Sequence, residues 1–122
     1  MSMTATPRLL SGSTDGLPII VAGTNSGTAT TIHTAVALAT GNEVDEVYMT
    51  VANVTANPEL LTIEWGSTAD PGGHAVHQLS IPANSPQVEI ATGQRITNAK
   101  VIKAFCPTAN ALNIMGGVIR YQ

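Results

Sequence analysis

Apolar and polar residues alternate most clearly in two neighbouring stretches. In Asp45-Glu46-Val47-Tyr48-Met49-Thr50-Val51-Ala52-Asn53-Val54-Thr55, the apolar Val47, Met49 and Val51 are interleaved with Tyr48 and Thr50. In Leu60-Leu61-Thr62-Ile63-Glu64-Trp65-Gly66, Leu61, Ile63 and Trp65 are interleaved with Thr62 and Glu64. A period of two is that of a strand with one buried face. The link Thr55-Ala56-Asn57-Pro58-Glu59 is short and carries the turn-forming pair Asn-Pro, so the two segments are expected to form an antiparallel hairpin.

Further strands follow on either side. Leu17-Pro18-Ile19-Ile20-Val21-Ala22 reads as a first strand, ended by Gly23-Thr24-Asn25-Ser26-Gly27. Thr30-Thr31-Ile32-His33-Thr34-Ala35-Val36 reads as a strand in preference to a helix, because Thr-Thr-Ile starts a helix poorly and Thr40-Gly41-Asn42 is a turn. Gly66 to Gly73 is glycine-rich and polar and is expected as an exposed loop between paired strands. Residues 75–81, 87–91, 98–105 and 111–121 complete the series. About eight strands at this spacing predict an all-β antiparallel sandwich, jelly-roll or immunoglobulin-like, over residues 18–122, since two sheets are needed to cover each other's apolar faces.

Residues 1–17 differ in being small and polar, with turn formers at Ser11-Gly12-Ser13 and Asp15-Gly16. Such a segment buries too little apolar surface to order itself and is expected as a flexible N-terminal arm. Within it Arg8, Leu9 and Leu10 are the candidate contact residues, one charged and two apolar. At the other end, Leu112, Ile114, Gly116 and Val118 share one face of the last strand, while Met115, Ile119 and Tyr121 lie on the other. Apolar groups on both faces suggest cover by a neighbouring subunit or a loop, which makes Met115, Ile119 and Tyr121 candidate subunit-contact residues. Gly116-Gly117 marks a bulge or a close approach of another backbone.

Composition narrows the function. With 122 residues and 43% hydrophobic content the chain has the size and apolar content of one domain. Five basic residues are scattered along a chain of net charge -3, so the concentrated cationic surface that nucleic acid requires is not expected. The one cysteine, Cys106, reads as a small core residue before Pro107. No apolar run is long enough to span a bilayer and no secretory layout opens the chain, so neither a membrane nor an export route is expected.

Reactive constellations are sparse. Asp70-Pro71-Gly72-Gly73-His74-Ala75-Val76-His77 is the most metal-like cluster, but side chains three apart on a strand point to opposite faces, so His74 and His77 converge only if the chain bends between them. The preferred reading is a polar loop rim, with no metal and no cofactor. His33 stands without an obvious nucleophile, and the familiar hydrolase, phosphate-loop and metalloprotease motifs do not occur. Glu43, Asp45 and Glu46 read as a solvated strand edge, and Glu64 as outward-facing; pairing Glu64 with Glu59 or Glu89 in glycosidase fashion has nothing to support it. Trp65 falls in step with Leu61 and Ile63 and is expected in the core in preference to an exposed sugar platform. The chain is therefore read as a non-enzyme.

The phrases from Asp45 to Thr55, Leu61 to Gly66, Ile81-Pro82-Ala83-Asn84-Ser85-Pro86 and Asn110-Ala111-Leu112-Asn113-Ile114 resemble small virion proteins of tailed bacteriophages, most of all the capsid decoration or cement proteins encoded among head genes. The resemblance spans residues 25–121 and leaves the arm outside. It implies a β-sandwich, commonly a homotrimer, that sits on the outer surface of the phage head and clamps neighbouring major capsid proteins. Two other readings stay open: a tail or head-fibre component, and a carbohydrate-binding module using Trp65, Tyr48 or the loop at 66–77.

Overall fold

The computed structural model describes residues 3–122, which form strands apart from one 3₁₀ turn at Ser26–Thr28 and the connecting loops. The strands are β1 (Ala5–Leu9), β2 (Ile19–Ile20), β3 (Thr30–Thr34), β4 (Val44–Asn53), β5 (Glu59–Trp65), β6 (His74–Ile81), β7 (Val88–Ile96), β8 (Val101–Phe105) and β9 (Leu112–Tyr121). They make two antiparallel sheets. One has the order β1-β9-β4-β7, with β2 also pairing β9, and the other has the order β3-β8-β5-β6. From β2 to β5, and again from β6 to β9, every connection changes sheet. That is the winding of a jelly roll, and it selects between the two sandwich types expected.

The predicted hairpin does not form. β4 pairs with β7 and β9, whereas β5 pairs with β6 and β8, so the two strands lie in opposite sheets. Their link is an arch across the edge of the sandwich, held by Asn53: its Nδ2 donates to the carbonyls of Asn57 at 2.8 Å and Ile81 at 3.1 Å. Its Oδ1 accepts from the N–H of Thr55 at 2.9 Å. Turn residues determine where the chain reverses; they leave open which sheet it enters next.

The alternation itself is realised. Val47, Met49 and Val51 of β4 meet Leu61 and Ile63 of β5 in a core completed by Ile102, Ile114 and Val118. Each of the large side chains so enclosed contributes about 2 kcal/mol. Cys106 is buried there too, and burial pushes its thiol pKa up.

The flexible arm is the second correction. Met1 and Ser2 lie outside the described residues, but β1 is paired with β9 from Ala5 opposite Tyr121 to Leu9 opposite Gly117. Leu10, expected as a contact residue, is 1% exposed and part of the core. The loop beyond is tied by the N–H of Gly12 to Ile32 O and that of Ser13 to Leu10 O. The physical reason is that β9 would otherwise present an unpaired row of backbone donors and acceptors, which a strand of any composition can satisfy. The sandwich therefore begins with β1 and not at residue 18.

Candidate functional site

The outer face of the five-stranded sheet is the surface that stands out. Directly opposed residues of an antiparallel pair project to the same side. The register sets Pro7 beside Ile119 and Leu9 beside Gly117 across β1 and β9. It sets Tyr48 beside Gly117 and Thr50 beside Met115 across β4 and β9, and Ile20 beside Asn113 across β2 and β9. Leu9, Ile20, Tyr48, Met115, Ile119 and Tyr121 thus share one face, away from the core side chains Ile114 and Val118. Leu9, Ile20 and Tyr48 are 51%, 54% and 43% exposed, and Met115, Ile119 and Tyr121 are half-buried. Leu60 and Leu79 are also exposed, but on the other sheet, where Leu60 opposes Ser80 and Leu79 opposes the buried Leu61.

A polar cluster adjoins this patch. The Tyr48 hydroxyl donates to Glu46 Oε1 at 2.9 Å, and Arg95 Nη2 donates to Glu46 Oε2 at 2.8 Å. The Arg95 guanidinium lies 6.0 Å from the centre of the Tyr121 ring, within cation–π range. The Tyr48 hydroxyl, then Arg95, hold the Glu46 carboxyl below its ordinary range, and Glu46 in turn raises the Tyr48 hydroxyl. At Gly116 an added Cβ would overlap the Tyr48 carbonyl oxygen, and at Gly117 it would come within 2.8 Å of Arg8 O. The glycine pair therefore marks the close backbone approach anticipated from sequence, on both flanks of β9.

Of the residues singled out from sequence, the fold puts Leu9 on the same face as Met115, Ile119 and Tyr121. Arg8 lies on the exposed edge strand and Leu10 is lost to the core. Tyr48, Glu46 and Arg95 were not grouped with them. The parity of Val44, Glu46 and Tyr48 along β4 is a signal for the first two, whereas Arg95 comes from a strand 49 residues from Glu46.

The carboxylates read as a solvated edge are mostly enclosed. Asp45 is fully buried: Oδ1 accepts from Arg120 Nε at 2.8 Å, while Oδ2 accepts from Arg120 Nη2 at 2.9 Å, His33 Nε2 at 2.7 Å and Val36 N–H at 3.1 Å. Burial pushes its pKa up, but the hydrogen bonds from Arg120 and His33 outweigh this and hold it below its ordinary value. A bulge in β3 between Thr31 and His33 turns both Ile32 and His33 inward. The N–H of Ser11 donates to His33 Nδ1 at 3.0 Å, and Ser11 Oγ accepts from Thr34 N–H at 2.7 Å. Both imidazole nitrogens are engaged and the serine hydroxyl oxygen faces backbone, so this trio joins sheets and does not prepare a nucleophile.

Glu43 caps the turn before β4. Its Oε1 accepts from the N–H groups of Ala39 at 2.8 Å and Thr40 at 2.9 Å, and Oε2 from the Thr40 hydroxyl at 2.6 Å. The Thr40 hydroxyl, followed by those N–H groups, lowers its pKa from 4.5 to about 2. A depressed carboxyl pKa stabilises the fold above the unfolded value and the effect is lost as pH falls through the folded value. Glu43→Gln is accordingly expected to melt below the wild-type chain at pH 7, with the gap closing between pH 4.5 and 2. Thermal melts across that range check this; a gap independent of pH would remove the assignment.

Glu64 does point to the face opposite Ile63, but that face is covered and the residue is 1% exposed. Ser26 Oγ donates to its Oε2 at 2.5 Å, and Oε1 has no partner among the described residues. Trp65, expected in the core, packs against it only in part: it is half-buried, with its indole N–H 3.4 Å from Arg95 O. The loop between β5 and β6 is exposed, also as expected, and beside Trp65 it forms a groove with His74, Gln94 and Arg95. His74 also belongs to a cluster in which the Asp70, His74 and His77 side chains converge, their ligating atoms all within 4.8 Å.

Comparison with protein-family models, curated proteins and solved structures returns no match for this chain.

Proposed function

We propose that this chain is a structural protein of a tailed-bacteriophage virion: a decoration or cement protein that associates with itself, as a trimer, and seats on the outside of the head across joints between major capsid proteins. The observation that supports this is the outer face of the five-stranded sheet. Leu9, Met115, Ile119 and Tyr121 form an apolar patch bordered by Tyr48 and Arg95, and aromatic residues, methionine and arginine are the types enriched where proteins meet. The jelly roll is a fold of viral capsid and lectin domains, which is an argument from analogy of fold alone. The role asks for no reactive group. Many modest contacts repeated over a shell act together, so a weak single site strengthens the whole.

The proposal is tested on purified particles of the phage that carries the gene, by antibody labelling and cryo-electron microscopy. The chain is expected on the outer head surface, at threefold or quasi-threefold positions; its absence from the particle would overturn the reading. In solution, light scattering after size exclusion is expected to give a trimer. Ile119→Lys is expected to shift that trimer toward monomer while leaving the melting temperature of the subunit nearly unchanged, since the side chain lies outside the core. An unchanged mass would remove Ile119 from the contact.

The groove at Trp65 favours a second reading, a carbohydrate-binding module, because it sets a half-buried indole beside the polar side chains of Gln94 and Arg95. A monomer that binds glycans, and loses them on Trp65→Ala, would replace the virion proposal.

A further inference from the structure

We propose that Asp70, His74 and His77 form a binding site for a divalent transition metal of the zinc class. Two imidazole nitrogens and one carboxylate oxygen are the donor types zinc prefers. His74 Nδ1 and His77 Nδ1 lie 2.8 Å apart, and the rings are stacked with centroids 5.0 Å apart. In a tetrahedral site with bonds of 2.0–2.1 Å, two ligand nitrogens sit about 3.3 Å apart, so the rings need to part by only about 0.5 Å to admit the ion. His77 and Asp70 are exposed and free to make that adjustment, while His74 is half-buried with its ring edge-on to Phe105.

The backbone explains how residues three apart on a strand come to face each other. Between Leu61 opposite Leu79 and Ile63 opposite Val76, β6 spends three steps to the two of β5; between Ile63 and Glu64 it spends two steps to one. One bulge therefore falls at His77–Gln78 and another at Ala75, and Gln78 takes a left-handed φ of 50°. Bulges re-aim side chains and are found beside functional sites. The loop that delivers Asp70 is itself held: Gly73 N–H donates to Ala69 O at 2.8 Å, and His74 N–H to Pro71 O at 2.9 Å. A Cβ at Gly73 would come within 2.7 Å of Ser67 O, so the turn closes only with glycine there.

Three protein ligands leave a fourth coordination position. A bound ion would fasten the loop at 66–73 to β6 and still present an exchangeable site to water or to a ligand from a neighbouring molecule. This inference is independent of the virion reading, because it concerns the opposite sheet and stands on ligand geometry alone.

The test is titration of the untagged, metal-free full chain with zinc chloride by calorimetry, repeated with His77→Ala, Asp70→Asn and the double variant His74→Ala/His77→Ala. One zinc per chain is expected, with affinity at least tenfold weaker in His77→Ala and abolished in the double variant. Cobalt(II) should give the visible spectrum of a four-coordinate site with nitrogen ligands. Zinc at about 100 times its dissociation constant should raise the melting temperature by on the order of 10 °C in the wild-type chain and not in the double variant. No saturable binding, or equal binding by a double variant whose circular dichroism matches the wild type, would overturn the site. His77 and Asp70 are exposed, so their single variants keep the comparison meaningful should the double variant unfold.

Discussion

Asp45→Ala is expected to destabilise the fold by about 3 kcal/mol, because removing one member of a buried, hydrogen-bonded charge pair leaves the other without compensation. The carboxylate receives four hydrogen bonds, from Arg120 twice, His33 and Val36, and these groups come from both sheets. With it gone, the partly buried guanidinium of Arg120 and the enclosed imidazole of His33 face each other. For a domain of this size the loss corresponds to a fall in melting temperature on the order of 10 °C. Asp45→Asn separates charge from shape: it keeps the volume and one acceptor, and is expected to recover only a minority of the loss. Urea unfolding followed by circular dichroism measures both. A change below 1 kcal/mol for the alanine variant would mean that the network is ornamental.

Gly116→Ala is expected to be comparably damaging, at about 3 kcal/mol, through overpacking. The added methyl would occupy the space of the Tyr48 carbonyl and crowd Met49 Cα, and backbone atoms of a central strand cannot swing aside as a side-chain tip can. β4 and β9 would have to part where they pair over their whole length. Gly117→Ala faces Arg8 O on the edge strand, which has more freedom to retreat, and should cost less. The ordering of the two variants in the same urea experiment is the check: equal effects would refute the distinction between a central and an edge neighbour.

Strands were legible because a period of two depends only on neighbours in sequence. Val47, Met49 and Val51 lie where their spacing puts them, and the same holds for Leu61, Ile63 and the final strand. Partners were not legible. The segment Thr55 to Glu59 carries the chemistry of a reversal, but an arch and a hairpin use the same residues. The N-terminal segment departs from its expected flexibility for a related reason: apolar content governs whether a strand folds alone, and β1 is completed by the backbone of β9, more than a hundred residues later.

The polar sites show the same division. Asp45 meets Arg120 across 75 residues, and Glu64 meets Ser26 across 38, so nothing adjacent to either carboxylate announces its burial. His33 looked solitary because its two partners come from Ser11 and from β4. The convergence of His74 and His77 is conditional on a bend between them, and that bend is the bulge at Ala75, a residue type that does not advertise one. Bulges are read from a ladder, and a ladder needs both strands.

The position of β9 carries a consequence for how the chain is made. It lies between β1 and β4, yet all the other strands precede it in synthesis. Until residue 121 has left the ribosome, the larger sheet is split, with Val47, Met49 and Val51 open on one side. Folding is thus completed only after translation of this whole segment, and the nascent chain meanwhile exposes two unpaired edges that invite its siblings. A product that stops before Leu112 would lack the keystone of one entire layer and is a natural substrate for cellular proteolysis.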